Sequence, residues 1–178
     1  MTTALPAATG GHPRIEFRPC LESDLDVVCA IERRTFPLPW TRDQFADLLA
    51  HRAGVGWVAT HAERGVVGYA IGWVAADEAE LADLAVAEDL RRRGLGSGLV
   101  RAFADEAGAR GARRMYLEVR ASNAAAQRLY QRLGFDVVGR RAGYYQQPRE
   151  DAIAMGAELP LADRDRGPSA VDRPGTAG

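Results

Sequence analysis

Two residues in the segment YLEVRASNAAAQRLY, Tyr116 to Tyr130, could carry out proton transfer. Glu118 lies in the middle of a strand-like run, and Tyr130 lies one short helix later. A carboxylate can take a proton from a reacting group and a phenol can supply one, so the two could act as general base and general acid. The alternative is that Glu118 faces solvent beside two arginines and Tyr130 packs against leucines in the core. The spacing alone leaves both interpretations open.

A glycine-rich stretch, RRRGLGSGLV at residues 91–100, is the second segment that could do chemistry. It follows a strand that ends near Val86 and leads into a helix through Arg92, Arg93, Gly94, Leu95, Gly96 and Ser97. Glycines let a backbone approach a ligand, and the N–H groups at a helix N-terminus favour phosphate. A P-loop would need a lysine, and the spacing G-x-G-x-G departs from the G-x-G-x-x-G of a Rossmann fingerprint. The stretch therefore predicts a phosphate site of another kind, or a turn with solvated arginines.

The composition limits the class of protein. A chain of 178 residues with 47% hydrophobic residues fits one domain with a sizeable core. The net charge of -1 gives no electrostatic reason to expect nucleic acid or a membrane surface as partner. All 23 basic residues are arginine, which excludes any mechanism that needs a lysine. Two cysteines and the absence of a signal peptide or a long apolar run predict a cytoplasmic protein without a disulfide scaffold.

Strands and helices alternate between two polar ends. Residues 1–13 and 161–178 are predicted to be flexible tails, and residues 14–160 to form the domain. The patterns between them predict the order β-α-α-β-β-β-α-β-α-β-β, with a hairpin in the first half and a βαβ-like unit in the second. Ser23 is a candidate cap of the first helix, and Thr41 with Gln44 forms a capping box for the second. The order predicts an α+β, mixed-sheet sandwich.

Four longer motifs resemble known acetyltransferases. Arg91, Gly94 and Gly96 form the R-x-x-G-x-G pattern that resembles the acetyl-coenzyme A pyrophosphate loop of the GNAT superfamily. The strings LEVRASNAAAQRLYQRLGF and GRRAGYYQQPREDAIAM are similar to the RimI-type ribosomal-protein-alanine N-acetyltransferases, as is the F-x-x-P-W pattern that ends at Trp40. The resemblance implies the GNAT fold, a mixed, mostly antiparallel sheet of six to seven strands flanked by about four helices. It also implies acetyl-CoA as cosubstrate and the N-terminal amine of a ribosomal protein as acceptor.

The resemblance also implies roles for individual residues. Glu118 matches the family's general base, Tyr130 its general acid and Asn123 a residue that contacts the coenzyme. Leu84, Ala85 and Val86 match the strand that binds the pantetheine and thioester, and Arg92 to Ser97 match the pyrophosphate loop. Tyr144 and Tyr145 match paired tyrosines near the acceptor channel.

Several assignments stay open at this stage. Trp40 could hold the connection between two helices or line the acceptor entrance. Glu32 could recognise the acceptor amine, but a solvated helix face is the interpretation that we favour. His12, His51 and His61 lack metal-ligand spacing, so no metal is predicted. A small-molecule amine as acceptor, or a non-catalytic coenzyme-binding domain, remains an alternative function.

Overall fold

The structure, a computed structural model, describes residues 14–162 and follows the predicted order of elements. The helices are α1 (Leu25–Thr35), α2 (Arg42–Ala50), α3 (Leu95–Ala109) and α4 (Ala124–Arg132). The strands are β1 (Ile15–Pro19), β2 (Gly54–His61), β3 (Gly65–Ala75), β4 (Glu78–Val86), β5 (Arg114–Arg120), β6 (Asp136–Gln146) and β7 (Arg149–Glu158). The N-terminal tail and most of the C-terminal tail lie outside the described residues, so the domain boundaries stay predictions.

The strands form one mixed sheet in the order β1-β2-β3-β4-β5-β7-β6. Every neighbouring pair is antiparallel except β4 and β5, which are parallel and joined through α3. A parallel pair needs such a crossover helix, whereas short turns join three of the antiparallel pairs, β2–β3, β3–β4 and β6–β7. The predicted mixed, mostly antiparallel sheet of six to seven strands with about four helices is confirmed for the described residues.

The strands β4 and β5 separate halfway along their length. Their pairing runs from Glu78 opposite Arg114 to Leu81 opposite Leu117 and then stops. Strand β4 continues to Val86 alongside β3, and β5 continues to Arg120 alongside β7. The last residues of β4 and β5 therefore form the two walls of a cleft that opens in the middle of the sheet.

Two hydrophobic clusters cover the two faces of the sheet. Helices α1 and α2 pack on one face around the buried side chains of Phe45, Tyr69 and Ile71. Helices α3 and α4 pack on the other face around Leu99, Phe103 and Phe135, among others. Burial of this apolar surface is the main source of stability, and it leaves the cleft between the two helical layers.

The local signals at the helix ends are confirmed for α2 and α4 but not for α1. Thr41 accepts the N–H of Gln44 at 3.3 Å, and Gln44 accepts the N–H of Thr41 at 2.8 Å, which completes the predicted capping box. Gly134 follows α4 with a φ of 95°, a left-handed conformation that suits glycine. The residue at the cap of α1 is Asp24 rather than Ser23. No helix within residues 14–162 has the length and hydropathy that crossing a membrane requires.

Candidate active site

The glycine-rich loop leads into the N-terminus of α3 as predicted. Gly94 precedes the helix with a φ of 82°, and no side chain caps the helix there. Arg92 also has a positive φ, 61°, which is uncommon for a residue other than glycine. Arg92 and Arg93 are exposed, whereas the side chain of Leu95 is buried in the core. The loop therefore combines an uncapped helix N-terminus with two exposed arginines, and both features suit a phosphate.

Two members of the loop have structural roles that the motif does not reveal. Arg91 donates from Nε to the backbone oxygen of Val86 at 3.0 Å, which ties the loop to the end of β4. A Cβ at Gly98 would lie 2.2 Å from the ring of Phe17, so this glycine makes room for a side chain of β1. Gly98 therefore serves packing, whereas a Cβ at Gly94 would meet nothing within 4 Å.

The end of β4 forms the first wall of the cleft. Leu84, Ala85 and Val86 pair with β3 on one side, and the pairing with β5 has already ended at this height. The N–H of Leu84 is bonded to Oδ1 of Asp83 at 2.8 Å. The backbone of this strand segment thus borders the cleft, as binding of an extended pantetheine chain would require.

Glu118 follows Leu117, the last residue of β5 that pairs with β4. Its side chain shares a sheet face with Tyr116 and Arg120, as the alternation predicts. Its carboxylate lies 2.7 Å from Nε of Arg141, whose side chain is mostly exposed. Glu118 also interacts with the hydroxyl of Tyr144, and this interaction, together with burial, raises the pKa of Tyr144. Arg141 and Tyr144 therefore both lie beside the carboxylate at the mouth of the cleft.

Tyr130 lies on α4 and approaches from the opposite helical layer. Its side chain is 7% exposed and packs edge-on against Phe135, with ring centroids 5.7 Å apart. Burial raises the pKa of its phenol above the ordinary value, and the charge of Asp83 and the neighbouring Tyr145 add to the effect. The phenol is therefore protonated near neutral pH and can act only as a proton donor.

Two of the residues predicted to bind the acceptor are neighbouring tyrosines on β6. Tyr144 and Tyr145 lie together on β6, with ring centroids 5.2 Å apart. The guanidinium of Arg120 lies over the ring of Tyr145 at 4.1 Å, and burial followed by the charge of Glu118 raises the pKa of Tyr145 to about 12. Both tyrosines therefore surround the Glu118 side of the cleft.

Trp40 and Asn123 have clear structural roles. Trp40 precedes α2 and packs against Phe45 and Trp73, with ring centroids 5.4 and 6.0 Å away. These contacts support its role in holding the connection between α1 and α2. Asn123 is the cap of α4, where Oδ1 accepts the N–H of Ala126 at 3.1 Å. Contacts of Trp40 with an acceptor and of Asn123 with a coenzyme stay predictions.

The structure also brings two carboxyl groups together behind the cleft. Glu32, for which we favoured a solvated helix face, is fully buried, so that interpretation is wrong. It accepts the backbone N–H of Trp40 at 2.9 Å and the hydroxyl of Tyr69. Asp83 of β4, which the sequence did not single out, lies close to Glu32, and burial followed by the charge of Glu32 raises the pKa of Asp83 to about 8. Glu32 lies on the same apolar face of α1 as Leu25, Val28 and Cys29. This helical spacing is a sequence signal that could have predicted its burial.

A sheet that splits beside a glycine-rich helix N-terminus, with a carboxylate and a phenol near the split, defines a coenzyme-dependent acyltransferase. The chain belongs to the acetyltransferase (GNAT) family, whose model matches residues 25–135. Among the residues that the structure describes, no three His, Cys, Asp or Glu side chains form a possible metal site.

Similar proteins agree with this family over nearly the whole domain. A ribosomal protein bS18-alanine N-acetyltransferase from Escherichia coli is 39% identical over 142 residues, which covers 79% of this chain and 93% of that protein. A protein of the same name from Haemophilus ducreyi is 32% identical and covers 78% of this chain and 97% of its own. The crystal structure of the Escherichia coli enzyme superimposes with a TM-score of 0.75 over 84% of this chain and 96% of its own, at 36% identity.

Proposed function

We propose that this enzyme transfers the acetyl group of acetyl-CoA to the N-terminal amine of a ribosomal protein, with alanine as the first residue. The similarity to enzymes named for that reaction, at 39% identity across the domain, supports the acceptor. The observation that carries the proposal is the position of Glu118 at the point where β4 and β5 separate, beside two tyrosines. Such an acceptor implies that the reaction takes place in the cytoplasm.

Acetyl-CoA would bind along the β4 wall and the glycine-rich loop. The backbone of Leu84 to Val86 would hold the pantetheine chain, and the N–H groups of Gly94 to Ser97 would bind the pyrophosphate. Arg92 and Arg93 would add charge-assisted hydrogen bonds to the phosphates. Arg91 would hold the loop in place, because its Nε is hydrogen-bonded to the backbone oxygen of Val86. A relative from Arabidopsis thaliana solved with acetyl-CoA shares this fold at a TM-score of 0.74.

Glu118 would remove a proton from the acceptor. A protein α-amino group has a pKa of about 7.7–8.0, so near neutral pH much of it is ammonium and must lose a proton before it attacks. The carboxylate of Glu118 can accept that proton directly or through water. Arg141 pairs with Glu118 in the structure, but its side chain is 64% exposed. The Glu118 side chain is only 20% exposed, so it is the largely solvated guanidinium of Arg141 that the arriving amine can displace.

Attack on the thioester would then proceed within a complex of both substrates. The amine nitrogen bonds to the acetyl carbon, and a backbone N–H of β4 can stabilise the oxyanion that forms. The carbon–sulfur bond breaks as the intermediate collapses, and Tyr130 would donate a proton to the departing sulfur. Neither cysteine belongs to these cleft-bordering segments, so no acyl-enzyme is required: Cys29 is a buried residue of α1, and Cys20 follows β1.

A peptide panel tests the acceptor. Purified enzyme and acetyl-CoA are incubated with peptides that begin with alanine, with the same peptides blocked at the N-terminus, and with small amines. We expect coenzyme A release only with a free N-terminus, and mass spectrometry should locate the acetyl group there. An internal lysine in the blocked peptide measures side activity. Rapid transfer to a small amine with none to any peptide would refute the proposed acceptor.

A further inference from the structure

Arg120 lies two residues beyond Glu118 at the end of β5, and most of its side chain is withdrawn from solvent. The side chain shares the sheet face of Glu118 and is only 21% exposed, whereas that of Arg114 at the other end of the strand is 53% exposed. A guanidinium that is withdrawn from water needs hydrogen-bond partners that offset the loss of hydration. The partners of Arg120 therefore identify the segments that it holds together.

The guanidinium of Arg120 binds the hairpin that β6 and β7 form. It donates to the backbone oxygen of Gln147 at 2.9 Å and to that of Pro148 at 3.2 Å. These two residues are the turn between the strands, since β6 ends at residue 146 and β7 begins at residue 149. The guanidinium also pairs with the carboxylate of Glu150 at 3.3 Å. Three acceptors on one hairpin are therefore fixed to the end of β5.

The same guanidinium lies over the ring of Tyr145. Its central carbon is 4.1 Å from the centre of the ring, a cation–π contact that is stronger where water is excluded. The ring of Tyr145 in turn packs edge-on against that of Tyr144, with centroids 5.2 Å apart. Tyr144 interacts with Glu118. Arg120 therefore fixes one ring of the tyrosine pair that lies beside the Glu118 carboxylate.

A second set of hydrogen bonds ties the hairpin and β5 to the start of α4. The carboxylate of Glu150 accepts the backbone N–H of Ser122. The backbone oxygen of Arg120 accepts the N–H of Asn123 at 2.9 Å, and the side-chain amide of Gln127 donates to the same oxygen at 3.1 Å. The main chain of Arg120 is thus held by α4, so its guanidinium holds the hairpin from a fixed position.

We propose that Arg120 is a positioning residue for the acceptor, which keeps the β6–β7 hairpin and the ring of Tyr145 in place beside Glu118 before the acceptor binds. Its guanidinium is engaged by the hairpin turn and the ring, so it acts through them and not on the reacting atoms. Without these bonds the hairpin would have to be ordered each time an acceptor binds, and that cost would weaken acceptor binding. The inference rests on the proposed acetyl transfer but not on the identity of the acceptor.

Arg120→Met removes the guanidinium and keeps an unbranched side chain. We expect the KM for the acceptor to rise by about tenfold, as the loss of hydrogen bonds from a charged group predicts, while the KM for acetyl-CoA stays unchanged. A purely structural role would instead lower the fraction of active enzyme, which lowers kcat and leaves both KM values as they are. Arg114→Met, at the exposed end of the same strand face, is the matched control and should keep both KM values. An acceptor KM equal to that of the wild type would overturn the proposal.

Arg120→Lys decides the outcome if the methionine variant does not fold. Lysine keeps the positive charge but lacks the planar fork that binds two neighbouring carbonyl oxygens and stacks on a ring at the same time. The acceptor KM should therefore still rise, by roughly a few-fold. An unchanged acceptor KM would show that the fork is dispensable, and failure of both variants to fold would show that Arg120 serves folding alone. Either result would overturn the proposal.

A double-mutant cycle tests whether Arg120 acts through the ring of Tyr145. Tyr145→Leu removes the ring that the guanidinium holds. In that background Arg120→Met should raise the acceptor KM much less than it does in the wild type, because residues that act as a unit have effects that do not add. Equal effects in both backgrounds would mean that the two residues act independently, and the proposal would fail.

Hydrogen exchange keeps the test independent of the acceptor. If the wild type acetylates a small amine instead of a peptide, the proposed acceptor fails and the KM comparison runs on that amine. If it acetylates no amine, the proposed function fails, but exchange of the backbone amides of residues 142–152 requires no turnover. In Arg120→Lys these amides should exchange about tenfold faster than in the wild type, while the hairpin of residues 54–75 keeps its protection. Identical exchange in the two proteins would refute the role of Arg120 in fixing the hairpin.

Discussion

Replacing Asp83 with asparagine should change how the stability of the protein depends on pH. The pKa of Asp83 is raised from 3.8 to about 8 in the folded protein, first by burial and then by the charge of Glu32. Between these two values the folded chain holds a proton that the unfolded chain has lost. Stability contributed by this group is therefore complete at low pH and decreases as pH rises.

The expected magnitude follows from one bound proton. Each pH unit between the two pKa values lowers the free energy of unfolding by about 1.4 kcal/mol relative to a residue that does not titrate. From pH 5 to pH 7 the wild type should therefore lose about 3 kcal/mol relative to Asp83→Asn. The variant keeps the hydrogen-bonding pattern of the protonated acid, so it should be the more stable protein at pH 7.

Urea unfolding at pH 5, 6 and 7 measures this difference. Trp40 and Trp73 pack 6.0 Å apart, and the backbone of Trp40 is bonded to Glu32, so tryptophan fluorescence reports unfolding of the relevant layer. Glu78→Gln, an exposed change on the same strand, is the control and should follow the wild-type curve at every pH. If the wild type and Asp83→Asn instead lose stability in parallel, Asp83 is ionised in the folded protein and its pKa is not raised.

Three further changes test the site and one tests the sheet. Glu118→Gln should lower kcat by about 100-fold or more while calorimetry finds acetyl-CoA affinity nearly unchanged; equal rates for variant and wild type across pH would remove it from the base role. Tyr130→Phe should lower kcat at least tenfold, and full activity would exclude it from proton transfer. Arg92→Glu should weaken acetyl-CoA binding in the same calorimetry, and unchanged affinity would contradict its phosphate role. Gly72→Ala places a Cβ 1.9 Å from a backbone oxygen of β4 and should strongly lower the melting temperature, whereas Gly108→Ala, with nothing within 4 Å, should not.

The order of elements could be predicted from the sequence because it depends on local signals. Alternation along β5 places Met115, Leu117 and Val119 on the buried face, and the structure confirms it. The capping box at Thr41 and the glycine after α4 are equally local. Such signals depend on neighbours a few residues away, so one sequence is enough to find them.

The parts that sequence reasoning missed are contacts between distant segments. Glu32 and Asp83 meet only because α1 packs over β4, and nothing close to either residue in the chain reveals the partner. The ring of Phe17 on β1 leaves no room for a side chain at position 98, and this contact also joins segments that are distant in the chain. A charged residue on a helix was assigned to solvent because burial of a charge is costly, and the compensating hydrogen bonds are visible only in three dimensions.

The parallel pairing of β4 with β5 is only four residue pairs long, and within residues 14–162 it is the single strand pairing that joins β1–β4 to β5–β7. A chain cut in the turn at Gly111 would leave two fragments, each with its antiparallel ladder intact and each carrying one wall of the cleft. Reassembly of such fragments would bring the loop side and the Glu118 side back together. The fold is thus a natural candidate for a split reporter whose recovered activity signals that two fused partners have met.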